Sequence, residues 1–135
     1  MRPERFQAFA IDLLKNTPGV TRVQTLADVG DTKHPYGVAV TAADGESRWQ
    51  VIGQLAEGAK HDVVTPAVQG APAPFQAAPA NGRPADAWMA GAIGAAESPE
   101  ARRIEVWSIR EGNRPDHVGL TVFFHNGERV FVRKL

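Results

Sequence analysis

The 135 residues are enough for one domain with its own core, and a composition of 43% hydrophobic and 22% charged residues excludes wholesale disorder. The 15 basic and 15 acidic side chains cancel, which excludes a global attraction to nucleic acid or anionic membranes but not a local patch. The absence of cysteine excludes disulfides, thiolate metal sites and cysteine nucleophiles. We expect a cytoplasmic protein with no membrane association, because the N-terminus lacks an apolar run of signal-peptide length and no stretch approaches a membrane span.

The first predicted element is an amphipathic helix over residues 3–16. Its apolar residues recur with the helical spacing i, i+3, i+4 and i+7, namely Phe6, Phe9, Ala10 and Leu13. A Thr-Pro-Gly sequence at 17–19 should end the helix, and a strand over residues 20–27 should follow.

A hairpin is predicted next, from strands over residues 36–43 and 46–54. The dipeptide Asp44-Gly45 between them is typical of a two-residue turn. That turn would set Val40 opposite Trp49 and Val38 opposite Val51 on a buried face. The other face looks solvated and carries Ala39, Thr41, Arg48 and Gln50.

Periodicity disappears between residues 57 and 83, where proline, alanine, glycine and glutamine accumulate. A loop of this length in a compact domain is usually functional, a linker or disordered. We expect a strap across the domain, and its larger apolar residues are the candidate pins, namely Val63, Val64, Val68 and Phe75. Whether the segment acts as a lid, a linker or a packed strap stays open.

A second helix is predicted over residues 85–96, with Pro84 at or near its first turn and Asp86 near its positive dipole end. After Asp86 it is apolar on all sides and contains Gly91 and Gly94. A helix of this composition is expected to be buried on more than one side.

Three strands complete the chain, over residues 103–109, 117–125 and 128–135. Asn126-Gly127 is typical of a two-residue type I′ turn between the last two. This turn predicts one face with Leu120, Val122, Phe124 and Phe131. It predicts an opposite face, also apolar, with Thr121, Phe123, Val130 and Val132.

These elements predict an α+β fold in a single domain over residues 1–135, with a mainly antiparallel sheet of about six strands and two helices. Residues 3–55 and 84–135 follow the same order of one helix and three strands. Gly37 then aligns with Gly119 and Val40 with Val122, which suggests an internal αβββ repeat.

No catalytic, metal-binding or cofactor-binding motif is recognisable. The histidines at 34, 61, 117 and 125 fall in or near predicted loops and strand ends, and predicted turns account for most carboxylates. We therefore predict no catalytic residue, no metal site and no cofactor, and favour a protein that is not an enzyme.

Three functional hypotheses remain, of which we favour the first and keep the other two as alternatives. The first is a protein-interaction or self-assembling accessory protein, which forms a homodimer or binds another protein. Its interface would lie on the C-terminal sheet and comprise Phe123, Val130, Val132 and Thr121. The second is a single-stranded nucleic-acid binder, for which aromatic and basic residues of the last strand are the candidates, namely Phe131, Arg129, Arg133 and Lys134. The third is a small-ligand binder or enzyme with a pocket under the 57–83 segment.

Overall fold

The structure, a computed structural model, describes residues 1–74 and 76–135. It contains two α-helices, one short 3-10 helix (Ala27–Val29) and six strands in one sheet, which confirms the predicted α+β class. In chain order the elements are α1 (Pro3–Leu14), β1 (Val20–Thr25), β2 (Gly37–Ala42), β3 (Gly45–Gln54), α2 (Ala85–Ala95), β4 (Ala101–Val106), β5 (Gly119–Phe124) and β6 (Arg129–Lys134).

The strand order is β1-β2-β3-β6-β5-β4, and every neighbouring pair is antiparallel. Each half of the chain thus forms a helix followed by a three-stranded meander, and the halves join through the central pair β3 and β6. The order of elements is the same in both halves, but an internal repeat is not confirmed.

Both helices lie on one face of the sheet. Phe6 and Leu14 of α1 and Met89 of α2 are buried in one cluster with alternate strand residues such as Leu120 and Val122. In α2 all residues from Met89 to Gly94 are buried, and this confirms the predicted burial on more than one side. Among the described residues, no helix is long and apolar enough to cross a membrane.

The first hairpin keeps its predicted buried face but not its predicted register. Val38 pairs with Trp49 and Val40 with Ser47, two positions from the expected pairing, because residues 43 and 44 form the loop. A shift of two residues leaves each side chain on the same face. The prediction of one buried face, with Val38, Val40, Trp49 and Val51, is therefore confirmed.

The second hairpin differs from its prediction by one residue. Its loop has three residues, 125–127, closed by hydrogen bonds from Phe124 N–H to Glu128 O and from Gly127 N–H to Phe124 O, both 3.0 Å. Gly127 has a φ of 90°, as the last residue of such a loop requires. Asn126 Oδ1 accepts a hydrogen bond from Glu128 N–H.

The shift of one residue exchanges the two faces of β6. Val130 lies opposite Val122 and Val132 opposite Leu120, so both valines point toward the helices. Phe131 lies opposite Thr121 and points away from them. The predictions that Val130 and Val132 share a face with Phe123, and that Phe131 shares one with Val122, are wrong.

The 57–83 segment is held by its backbone and not by its valines. Three of the residues predicted to anchor the segment are exposed and do not pack against the domain, namely Val63, Val64 and Val68. The fourth, Phe75, lies outside the described residues. The Arg2 guanidinium donates to three carbonyl groups of the segment, those of residues 60, 61 and 63. Gly70 N–H donates to Pro99 O at 2.8 Å.

Candidate functional site

The candidate site is the face of the sheet opposite the helices, called the open face below. No helix or strand of residues 1–74 and 76–135 lies over it. Alternation from the buried positions places on this face Arg22, Gln24, Ala39, Thr41, Glu46, Arg48, Gln50, Ile52, Gln54, Arg103, Glu105, Trp107, Gly119, Thr121, Phe123, Arg129, Phe131 and Arg133. The arginines of this face are exposed, and Ile52 is 39% exposed.

Arginines surround Phe123 at one end of this face. Arg103 on β4 and Arg129 on β6 are its direct cross-strand neighbours. Their Cζ atoms lie 4.1 Å and 4.9 Å from the centre of the ring, and Arg102 Cζ lies at 6.0 Å. These are cation–π distances, and the guanidinium groups reduce the exposure of Phe123 to 8%. The ring therefore supports planar cations whose outer surfaces face solvent.

A second aromatic group, Trp107, lies across the other end of β5. Its indole Nε1–H donates to Thr121 Oγ1 at 2.9 Å, and the Arg110 guanidinium lies 5.3 Å from the ring centre. The ring passes directly above Gly119, where a Cβ atom would come within 2.6 Å of it. Glycine at 119 thus allows the indole to lie close to the sheet.

The loop that carries Arg110 is anchored to α2 by Asp86, which is fully buried. One carboxylate oxygen of Asp86, Oδ2, accepts hydrogen bonds from Ser108 N–H, Ser108 O–H and Gly119 N–H, at 3.0, 2.6 and 3.1 Å. Three donors on one carboxylate fix the end of β4 and the start of β5 relative to each other.

Glu105 lies between the two aromatic residues Phe123 and Trp107 on the open face. Its Oε1 lies 3.1 Å from Arg110 Nη1 and its Oε2 lies 3.7 Å from Arg103 Nη1. The side chain remains 32% exposed. Glu105 therefore joins the two cation–π pairs into one network along the edge strand β4.

The open face is positively charged although the whole chain is neutral. Arginines outnumber carboxylates on it, since only Glu46 and Glu105 accompany the five arginines of its strands. Arg48 is paired with Glu46 at 2.6 Å. Within the described part of the chain, Arg129 and Arg133 form no salt bridge. The two are available to an anionic ligand.

The predicted interface residues divide between the two faces. Phe123 and Thr121 lie on the open face, whereas Val130 and Val132 are 0% and 2% exposed beneath the helices. The valines therefore belong to the core and are not on an exposed apolar surface. The expected homodimer relied on that surface, and the structure removes this reason for it.

The predicted nucleic-acid-binding residues are placed together with one exception. Arg129, Phe131 and Arg133 occupy alternate positions of β6 and all reach the open face. Lys134 pairs with Trp49 and points to the helix side, away from these three residues.

Several open-face residues were not recognised from the sequence. Arg103, Glu105 and Trp107 follow the period of two along one predicted strand, which was the available signal. Ile52 joins Phe131 only because β3 pairs with β6, and no sequence feature predicted that pairing.

Several cavities lie beside the 57–83 segment in the described part of the chain, and two of them are both large and lined by charged side chains. One, of about 490 Å³, is lined by α1 and residues 64–67 and contains the Arg5–Glu100 ion pair, at 2.6 Å. The other, of about 570 Å³, is lined by Trp49, Trp88 and Lys134 with residues 79–83. Neither of these two cavities is lined by a histidine, whereas a smaller one of about 150 Å³ is lined by His61 together with Glu128.

Among the residues that the structure describes, the one close histidine–carboxylate contact stabilises a turn. His34 Nδ1 lies 2.7 Å from Asp31 Oδ2, and this hydrogen bond lowers the pKa of Asp31 to about 2. Asp31 Oδ1 also accepts from the backbone N–H groups of Lys33 and His34. In the part of the chain that the structure describes, no three His, Cys, Asp or Glu side chains cluster to hold a metal.

The chain matches no protein-family model, no curated protein and no solved structure.

Proposed function

We propose that the protein binds single-stranded nucleic acid through the open face. The observation that carries this proposal is the joint placement of three rings, Phe123, Phe131 and Trp107, beside Arg129 and Arg133 on one uncovered face of the sheet. Proteins hold single strands by stacking bases on aromatic rings while basic side chains contact the phosphates.

The rings would serve this function in two ways. Phe131 and Trp107 are half-buried, so part of each ring surface is open to a base. Phe123 is covered by Arg103 and Arg129 and would act through them, because bases also stack on guanidinium planes. A single strand exposes the base surfaces that such stacking requires, whereas a duplex conceals them.

The neutral charge of the chain does not oppose the proposal. Electrostatic attraction is set by the local potential, and the arginines are concentrated on the face that would receive the ligand. Carboxylates on α1, such as Glu4 and Asp12, balance them on the opposite side of the sheet.

Fluorescence anisotropy with labelled oligo(dT) of about 12 nucleotides tests the proposal. Binding should weaken steeply between about 50 and 200 mM salt, because phosphate contacts release counterions. Arg133→Ala should reduce the slope of log K against log salt by about one unit. Lys134→Ala is the matched control, since this neighbour on β6 points to the helix side, and it should leave the slope unchanged.

An absence of binding at about 50 mM salt would contradict the proposal. Equal effects of Arg133→Ala and Lys134→Ala would show that the oligonucleotide contacts the protein without using the open face.

A protein partner, including a second copy of the chain, is the second candidate. Ile52 favours it, because this exposed aliphatic side chain beside Phe131 offers apolar contact but no stacking surface. The exposed arginines would then suit an acidic surface and would repel an identical face in a symmetric dimer. Light scattering distinguishes a homodimer from a monomer.

A further inference from the structure

We infer that Glu105 is a positioning residue for single-strand binding. It holds two arginines, Arg103 and Arg110, over aromatic rings and so fixes both guanidinium groups as stacking surfaces for bases. This role depends on the proposed function. Removal of its negative charge from the open face should therefore weaken the binding of an anionic strand, whereas simple charge repulsion would predict tighter binding.

The period of two along β4 places Glu105 between the two rings. Arg103, Glu105 and Trp107 are successive outward residues, each about 7 Å from the next. Arg103 lies opposite Phe123 of β5, and the loop after β4 returns Arg110 to Trp107. One carboxylate is thus within reach of two cations that lie over different rings.

The two oxygens of Glu105 contact different arginines. Oε1 accepts a hydrogen bond from Arg110 Nη1 at 3.1 Å, and Oε2 lies 3.7 Å from Arg103 Nη1. Arg110 Nε also donates to Asn113 Oδ1 at 3.0 Å. Among the described residues, no carboxylate other than Glu105 forms an ion pair with Arg103. The Glu105 contact therefore restricts the rotation of the Arg103 side chain.

This restriction matters because both arginines are exposed and flexible. Their side chains are 51% and 39% exposed, and a free arginine loses much rotamer freedom when a ligand orders it. A guanidinium group that is fixed before the base arrives has a smaller entropy loss on binding. Arg129 and Arg133 form no such ion pair, which leaves them to contact phosphates.

Glu105 also repels phosphates, but this effect is small. The carboxylate is 32% exposed, so water and salt screen its charge. The two guanidinium groups beside it more than neutralise that charge for an approaching strand. The positioning effect is therefore expected to exceed the repulsion.

The test measures binding of labelled oligo(dT) of about 12 nucleotides by anisotropy, at several salt concentrations. Glu105→Gln should weaken binding about threefold, the effect of one exposed ion pair. The slope of log K against log salt should stay that of the wild-type protein, because the phosphate contacts are kept. Circular dichroism verifies that each variant is folded.

Glu46→Gln is the matched control. Glu46 is the other carboxylate of the open face and pairs with Arg48 at 2.6 Å. Among the described residues, Arg48 lies over no aromatic ring. Both variants lose one negative charge, so the difference between them isolates the positioning effect. Glu46→Gln should leave the affinity unchanged or raise it by up to about twofold.

A second comparison removes the two arginines first. In a protein that carries Arg103→Ala and Arg110→Ala, Glu105 has nothing left to position and only its repulsion of phosphates remains. Addition of Glu105→Gln should then strengthen binding slightly. A reversal of sign between the two backgrounds would not result from a general effect on the fold.

The outcomes separate this role from the proposed function. If the wild-type protein does not bind the oligonucleotide, both are wrong. If it binds and Glu105→Gln is as tight as Glu46→Gln or tighter, the positioning role is wrong and single-strand binding stands. Equal weakening by Glu105→Gln with and without the two arginines would also refute the positioning role, because Glu105 would then act without them.

Discussion

Val132→Asp should unfold the protein or nearly so, because Val132 is a core residue of the helix side of β6. Its side chain lies opposite Leu120 and Val51 and is 2% exposed. A carboxyl group at this position must stay neutral in its apolar surroundings, since a charge there has no partner.

The size of the effect follows from the pKa of aspartate. Keeping a carboxyl with a usual pKa of about 3.9 protonated at about pH 7 costs about 4 kcal/mol. Loss of the buried valine side chain adds about 1.5 kcal/mol. The free energy of unfolding should fall by about 5 to 6 kcal/mol, most of the stability of a small domain.

Urea unfolding followed by circular dichroism measures the loss, with Phe131→Asp as the control. Phe131 is the preceding residue of β6 but is half-buried on the open face, between Arg129 and Arg133. A carboxylate there remains hydrated beside two cations, so the loss should be about 1 kcal/mol. The effect of Val132→Asp should also shrink by about 2.7 kcal/mol at about pH 5, where protonation costs less.

The opposite ranking would refute the register. If Val132→Asp kept the wild-type stability while Phe131→Asp unfolded the chain, the hairpin would have the two-residue turn, and the odd-numbered residues of β6 would face the core.

Two further predictions concern the turns. Gly127→Val and Gly45→Val should each lower the free energy of unfolding by about 1 to 2 kcal/mol, because both glycines have positive φ, 90° and 118°; urea midpoints equal to that of the wild-type protein would contradict this. Asp31 has a folded pKa of about 2 against an ordinary value of 3.8, so its hydrogen bond with His34 stabilises the fold above about pH 4. That contribution should be lost as the pH falls toward 2, and in acid titrations Asp31→Asn should show a smaller loss over this range.

The local elements follow from the sequence because their signals are local. The helical spacing of apolar residues fixes α1, and the uninterrupted apolar composition of α2 indicates burial on several sides. The dipeptides Asp44-Gly45 and Asn126-Gly127 mark the hairpin tips, since glycine is needed where φ is positive. Together these features determine an α+β domain with two hairpins.

The hairpin registers do not follow from the same signals. Asn126-Gly127 fits a two-residue turn, and it fits equally a three-residue loop ending in a left-handed glycine. An error of two residues in the first hairpin left Val38 and Trp49 on their predicted face, whereas an error of one in the second exchanged Phe131 with Val132. Because β6 carries apolar residues at both odd-numbered and even-numbered positions, the sequence pattern alone could not choose between the two registers.

The candidate site was only partly determined by the sequence. The spacing of Arg129, Phe131 and Arg133 within one strand places them on a common face, whichever face that is. Tertiary structure decided that this face is the uncovered one, because both helices pack on the opposite side, against Val130 and Val132. The tertiary structure also decided which side chains neighbour these three residues. Strand pairing between distant segments places Phe123 of β5 and Arg103 and Glu105 of β4 beside them. Strand order and helix placement depend on which arrangement buries the most apolar surface, and that is a property of the whole chain and not of any one segment.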